Sequence, residues 1–292
     1  MDDRVNLIHA FPAPAKLNLF LHVVGRRDDG YHLLQSVFRL IDFGDTVHLQ
    51  LRDDGCVVRE GDFPGVPEDQ DLTMRAARLL QPFAPPGSGV GIQLEKRLPM
   101  GGGLGGGSSD AATVLLALNR LWDLNFSRQR LQTLALTLGA DVPVFVFGRS
   151  AFAEGVGECL SAVQLAPAWY VVLMPPVHIP TAAVFAAPEL TRNTPALTIA
   201  PFSASQNPGG AGLHNDLQAI VVKRYPEVAQ HLEWLGQYGE ARMTGSGACV
   251  FAAFDSEEAA HRVMRAVPDG MQGFVAQGVD RHPLFEYCAQ EN

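Results

Sequence analysis

Between Pro99 and Asp110 the chain reads Pro-Met-Gly-Gly-Gly-Leu-Gly-Gly-Gly-Ser-Ser-Asp, with six glycines in the seven residues from Gly101 to Gly107. Few features restrict a fold more. Glycine loses more conformational freedom on ordering than any other residue, so the run needs a purpose that side chains would obstruct. It permits positive φ and lets the backbone approach a ligand closely. Successive amides followed by the amino end of a helix form a nest for an anion. Behind the run, Ala111, Ala112, Leu115, Leu118, Leu121 and Trp122 recur at helical spacing, and Ser108, Ser109 and Asp110 are residue types that begin helices. The run contains G-x-G-x-x-G at Gly101, Gly103 and Gly106. A dinucleotide fold would place an acidic residue about 20 positions later, ending the next strand, and here that region is still helical. A Walker A loop needs Lys before its Ser, where this chain has Gly107. The segment reads as a phosphate loop of a third kind.

Elsewhere the pattern mixes two periods. Leu17, Leu19, Leu21 and Val23 alternate with Lys16, Asn18, Phe20 and His22, which predicts a half-buried strand with Lys16 and Asn18 on its non-core face. Further strands are expected around 47–51, 90–94, 249–254 and 274–279. Helices are expected at 72–80, behind the glycine run, and at 128–138, where Gly139 is a stop signal; others follow at 215–224, 226–238 and 257–267. Asp141 falls in the loop after Gly139. The composition shifts near 167–180, and residues 186–212, rich in Pro, Asn, Ser and Gly, read as a long surface excursion within a second domain. The fold class is α+β, with domains at 1–160 and 161–292 of the 292 residues.

Composition narrows the partners. The net charge of −9 argues against DNA or an anionic membrane surface, which require a broad basic face. It leaves room for a small anionic ligand held by local donors. The four cysteines form no C-x-x-C pair and the nine histidines no H-E-x-x-H pair, so no metal framework is expected. No signal peptide or spanning segment is visible, which points to a cytoplasmic protein with reduced thiols. Phosphoryl transfer to a hydroxyl needs a carboxylate near that hydroxyl and cations near the γ-phosphate. Asp141, Lys16 and the glycine run supply that set if the fold gathers them. A second glycine-rich turn, Thr244-Gly245-Ser246-Gly247, precedes the 249–254 strand and reads by itself as a turn or bulge.

Taken together these segments resemble the GHMP kinases. Residues 99–112 resemble the ATP-binding motif of that family, 244–248 its third motif, and 13–23, with Pro14-Ala15-Lys16-Leu17-Asn18-Leu19, its first. Within the family the likeness, over about 13–278, is closest to a branch acting on a cytidine diphosphate derivative of methylerythritol. It is carried by Gly30-Tyr31-His32, Arg97-Leu98-Pro99-Met100, Leu138-Gly139-Ala140-Asp141-Val142-Pro143, Ile179-Pro180-Thr181 and Asn215-Asp216.

The resemblance implies an N-terminal domain like the second domain of ribosomal protein S5, a ferredoxin-like C-terminal domain, and a site in the cleft between them. It implies ATP with Mg²⁺, a small-molecule substrate, no nucleic acid or membrane partner, and a monomer or homodimer. Asp141 would be the base and Lys16 its cationic partner. The ATP site would comprise Pro99, Met100, Gly101, Gly102, Gly103, Leu104, Gly105, Gly106, Gly107, Ser108 and Ser109, with Lys96 and Asp71 at the adenine end. Asn18, Tyr31, His32, Thr181 and Phe185 would line the substrate side, Tyr31 and Phe185 sandwiching the cytosine. Metal ligands stay unassigned. The family commonly carries Asn where this chain has Asp71, which can accept from an adenine amino group but cannot donate to a ring nitrogen. Asp110 likewise replaces a familiar Asn. Another member of the family, such as a homoserine kinase, or a non-catalytic nucleotide-binding relative, is the alternative.

Overall fold

Two long antiparallel strands, β1 (Ile8–Arg26) and β2 (His32–Arg52), organise the molecule. The computed structural model describes residues 7–61, 63, 65–198 and 213–288. β2 is long enough to serve several neighbours in turn. Its last third, Thr46–Arg52, pairs with β4 (Gly89–Glu95), which in turn holds the short β3 (Val57–Arg59). Ser36–Phe38 pair with β5 (Ala151–Glu154), whose hairpin partner is β6 (Cys159–Ala162). Leu40 and Ile41 meet β10 (Gly273–Val279). Beyond β10 the sheet continues through β7 (Trp169–Leu173), β9 (Val250–Phe254) and β8 (Arg242–Met243). Among the described residues this makes one ten-stranded sheet that runs through both halves of the chain.

Helices cover it in two groups. α1 (Leu72–Leu80), α2 (Gly106–Leu121), α3 (Arg128–Leu136) and α4 (Val142–Phe147) pack on the first half of the sheet. Their core joins Met74, Leu80, Leu115, Leu118 and Phe145 to Leu40, Leu49 and Ile92, and Leu284 returns to it from the end of the chain. α5 (Thr181–Phe185), α6 (Gln218–Arg224), α7 (Pro226–Leu235) and α8 (Glu257–Arg265) belong to the second half. Val184, Ile220, Val221, Val228 and Val263 pack there with Val171, Leu173 and Val250, and Leu21 and Val23 of β1 reach into this core. A third cluster joins Leu17, Phe20, Val37 and Ile41 to Tyr170, Val172, Phe251 and Phe274. Each such side chain, fully buried, contributes about 1.5–3 kcal/mol, so the seam between the halves is apolar packing rather than a linker.

Four sequence expectations need correction. First, every residue from Ala13 to Val23 is buried, so β1 is covered on both faces there. Lys16 and Asn18 are 2% and 3% exposed, because the 244–247 turn closes over the face expected to meet solvent. Second, the helix behind the glycine run starts at Gly106, not at Ser108–Asp110, since Gly105 in the left-handed region (φ 75°, ψ 21°) is its N-cap. Third, Asp141 is the N-cap of α4, a helix formed by the apolar run after it rather than open loop. Fourth, the helix expected from 215 begins at Gln218, because the Asn215 side chain accepts from Leu217 N and turns the chain first. Of the 186–212 excursion, 186–198 contains no helix or strand and 199–212 lies outside the described residues.

Candidate active site

A cavity of about 1100 Å³ opens between the two groups of helices, and the glycine run forms one of its walls. Gly101, Gly103 and Gly105 take φ of 69°, 75° and 75°. A Cβ on Gly103 would stand 2.2 Å from Thr244 O, so glycine is required there by the close approach of the two glycine-rich turns. These turns are also hydrogen-bonded: Thr244 Oγ1 donates to Gly103 O at 3.2 Å, and Cys249 N donates to Gly102 O at 3.1 Å. The first intrahelical bond of α2 is Ser109 N to Gly105 O, 2.8 Å. The amides of Gly106, Gly107 and Ser108 therefore have no partner within the helix. All three residues line the cavity, at the positive end of a 16-residue helix. These amides stand where the sequence analysis expects an anion nest.

Beside it stands the expected pair. Lys16 Nζ lies 3.5 Å from Asp141 Oδ2 and donates to Asn18 Oδ1 at 2.5 Å. A Cβ on Gly105 would fall 3.2 Å from Lys16 Cε, so the ammonium adjoins the amide nest. Asn18 is fixed in turn: its Nδ2 donates to Ser36 Oγ at 2.8 Å, and its backbone N donates to Thr244 Oγ1 at 2.9 Å. The Asp141 side chain, by contrast, is 44% exposed and makes no capping bond, which leaves its carboxylate available to a ligand. The Asn215-Asp216 dipeptide is structural here. Asn215 Nδ2 donates to Met243 O and Gly245 O, and Asp216 Oδ2 accepts from Val23 N, so the pair ties β1 to the second glycine-rich turn.

The remaining expected residues divide. Pro99, Met100, Lys96 and Asp71 line the cavity, as do Tyr31, His32, Thr181 and Phe185. Leu104 and Ser109 do not: Leu104 is 1% exposed in the third core, and Ser109 is fully buried with its hydroxyl donating to Pro14 O at 2.6 Å. Asp71 caps α1, accepting from Thr73 N at 2.9 Å, while its other oxygen lies 3.6 Å from Arg59 Nη1. Lys96 bridges two buried carboxylates, Asp45 and Asp110. Burial works against its charge, but Asp110 and Asp45 outweigh it and raise the ammonium above its ordinary range. Burial pushes Asp110 up to about 7, opposed by Lys96 and assisted by Asp45.

At the aromatic end Phe185 packs on His32, ring centroids 5.1 Å apart at 33°, while Tyr31 is 64% exposed. Sequence reasoning missed Asp45, Ser36 and Arg192. Asp45 accepts from Arg97 N and Leu98 N and so anchors the approach to the glycine run; its polar position in the alternating β2 pattern was a usable sign. Ser36 and Arg192 carried none.

The halves of the chain match two models, "GHMP kinases N terminal domain" over residues 71–149 and "GHMP kinases C terminal" over 195–273. A 4-diphosphocytidyl-2-C-methyl-D-erythritol kinase of Thiobacillus denitrificans is 76% identical, over 96% of this chain and 99% of that one. The chain belongs to the GHMP kinases. As a GHMP kinase it is an ATP-using phosphotransferase of small molecules. Its two-lobed α+β architecture is shared with a crystal structure of 4-(cytidine 5'-diphospho)-2C-methyl-D-erythritol kinase, TM-score 0.80 and 34% identity, covering 92% of this GHMP kinase and 99% of that chain. A mevalonate kinase of Methanococcus jannaschii, TM-score 0.65 at 14% identity and covering 94% and 99%, shares the fold alone. No helix among the described residues of this kinase is long and apolar enough to cross a membrane.

Proposed function

We propose that this kinase transfers the γ-phosphoryl group of ATP to the 2-hydroxyl of 4-diphosphocytidyl-2-C-methyl-D-erythritol, in the non-mevalonate route to isoprenoid precursors. The observation that carries the chemistry is the Lys16–Asp141 pair, 3.5 Å across and adjoining the amide nest of α2. The 76% identity to a kinase of that name supports the substrate. An alcohol without a nucleobase, such as homoserine, would leave the aromatic end of the cavity without a use.

In this reading Asp141 accepts the proton of the attacking hydroxyl. Lys16 keeps that carboxylate ionised and offsets charge on the γ-phosphate. The amides of Gly106, Gly107 and Ser108 hold phosphate oxygens at the positive end of α2. Asp71 and Lys96 lie toward the adenine, and Asn18, Tyr31, His32, Thr181 and Phe185 toward the substrate. In a loose phosphoryl-transfer transition state the protein contributes mainly position and charge, which suits an exposed carboxylate beside a rigidly held lysine.

Mg²⁺ fits this donor set. Among the described residues no group of three metal-ligating side chains exists, and Mg²⁺ commonly takes one or two protein oxygens with phosphate and water for the rest. The Ser108 hydroxyl, which borders the cavity at the start of α2, would hold it together with phosphate oxygens and water, and it would supply neutralisation of phosphate charge. Residues 1–160 would act as the nucleotide lobe and 161–292 as the second lobe of a cytoplasmic enzyme.

Mass spectrometry of a reaction with ATP, Mg²⁺ and the cytidine diphosphate substrate should find a monophosphorylated product. Asp141→Asn should keep fold and both ligands and lower kcat by about 10²–10⁴, the usual worth of general-base catalysis. Near-native turnover in that variant would remove Asp141 as the base.

A further inference from the structure

Arg192 sits in the irregular stretch after α5, marked by no motif, yet it lines the cavity and uses every nitrogen of its guanidinium. Nε donates to His32 Nε2 at 3.1 Å and Nη1 to Leu190 O at 3.0 Å. Nη2 donates to Phe185 O at 3.1 Å and to Ala187 O at 2.8 Å. A guanidinium stays charged and has no lone pair to offer. The His32 nitrogen facing it must therefore be the acceptor, and the ring must be neutral with its proton on Nδ1. Nδ1 itself has no hydrogen-bond partner among the described residues. The same guanidinium holds the backbone carbonyl of Phe185, whose ring lies against that imidazole. One cation thus fixes a tautomer and an aromatic wall together.

The charges around the imidazole agree. Burial, then Arg192, then Arg26 of β1 lower the His32 pKa, so all three favour the uncharged ring. Asp29, on the turn between β1 and β2, is paired with Arg27 rather than with His32.

We propose that Arg192 is a positioning residue for the nucleobase end of the substrate: it holds His32 neutral as the Nδ1–H tautomer, beside Phe185, so that the imidazole presents a hydrogen-bond donor to a pyrimidine acceptor. This rests on the substrate reading above. Nitrogen-15 NMR of the ligand-free protein tests the tautomer independently of any substrate, with His32 assigned by its loss in His32→Gln. The wild type should show the Nδ1–H form of His32 at pH 7. A protonated ring or an Nε2–H tautomer there overturns the proposal whatever the substrate proves to be. If wild type fails to turn over the cytidine diphosphate compound while the tautomer is as expected, only the substrate reading falls.

Kinetics then separate positioning from general damage. Arg192→Met should raise the KM for the cytidine diphosphate substrate about tenfold, the scale of one hydrogen bond to a charged group. The ATP KM should stay within about twofold, since Arg192 touches nothing at the glycine run. The raised KM should also become pH-dependent near the ordinary histidine value of about 6.5. Arg192→Lys, which keeps charge without the fork, should restore part of the neutral-ring bias but not the full KM. Equal losses for both substrates with a flat pH profile would reduce Arg192 to a structural tie and overturn the assignment.

Discussion

The two ends of the cavity are built by different means. The glycine-rich end, where the proposed function places the phosphates, is backbone, and it is sealed. Cβ atoms on Gly101, Gly103 and Gly105 would stand 2.4, 2.2 and 2.8 Å from His178, Thr244 and Phe145. The aromatic end is side chain, and it is open. Tyr31 is 64% exposed, and the His32 imidazole takes its one hydrogen bond from a residue 160 positions away. Phosphates need fixed dipoles in one geometry, which a rigid backbone supplies without reorganisation. A base needs flat apolar faces and a few donors, which side chains supply with some freedom.

The sharpest break in that comparison is Gly103→Ala. The methyl must displace Thr244 O, a backbone atom bonded into the second turn, and φ of 75° penalises any L side chain. Loss of roughly 3 kcal/mol or more of stability, or failure to accumulate soluble protein, is expected from a buried backbone clash of this kind. Gly107→Ala is the control. Its nearest neighbour would be Leu72 Cδ1 at 3.9 Å, and Gly107 sits in the first turn of α2, where alanine is the better helix former by about 1 kcal/mol. Denaturant melts of the two variants should therefore move apart, Gly103→Ala downward and Gly107→Ala within about 1 kcal/mol of wild type. Similar melts would mean the glycines are interchangeable and the sealed end is not sealed.

This difference also governs what could be read without a structure. Glycine spacing is a statement about backbone geometry, so the close-packed turn and the start of α2 were legible to within two residues. The strand carrying Lys16 was legible too, but not its second covering. Alternation shows which face meets the nearest core and says nothing about Thr244, 226 positions on, closing the other. The division of labour at the aromatic end was least legible. Phe185 and Tyr31 were both marked, yet the ring against Phe185 is His32, and the cation that sets it comes from a segment without helix or strand. Contacts that a single long-range side chain decides leave no local period to find.

Asp110 offers a smaller perturbation of the glycine-rich end. Its carboxyl is buried beside Lys96 and Asp45 and is pushed up to about 7, so the folded protein keeps a proton that the unfolded chain releases near 4. Between about pH 4 and pH 7 the native state binds more protons, and this group's contribution to stability falls as pH rises. Lys96, raised rather than lowered, stays charged in both states across that window and adds no slope. One proton is worth at most about 1.4 kcal/mol per pH unit. Asp110→Asn should flatten the decline from pH 5 to pH 7 and gain most on wild type above pH 7. Parallel stability curves for the two proteins would show that Asp110 titrates normally.

The smallest effects should come from the open end, and they rank its two aromatics. Base–aromatic stacking is worth about 1–3 kcal/mol per base, but only from a ring that is already held in place. Phe185 is held: its ring packs on His32, its carbonyl is bonded by Arg192, and it borders the core of the second half. Tyr31 is 64% exposed; its backbone is tied to the turn by Tyr31 N to Asp29 Oδ1 and Arg27 N to Tyr31 O, but its ring packs on no other ring among the described residues. It must give up freedom on binding, which consumes about 0.5–1.5 kcal/mol of whatever the stack provides. Phe185→Ala should therefore raise the substrate KM about tenfold or more, and Tyr31→Ala only a few-fold. Both should leave the ATP KM unchanged, because neither touches the glycine run. Thermal melts place the structural share: Phe185→Ala should lose stability, and Tyr31→Ala should stay within about 0.5 kcal/mol of wild type, as exposed positions do. Equal KM effects would mean the base is gripped symmetrically and that Tyr31 is ordered before the substrate arrives. A larger effect at Tyr31 would move the anchor to the exposed side and leave the Phe185–His32–Arg192 cluster as packing alone.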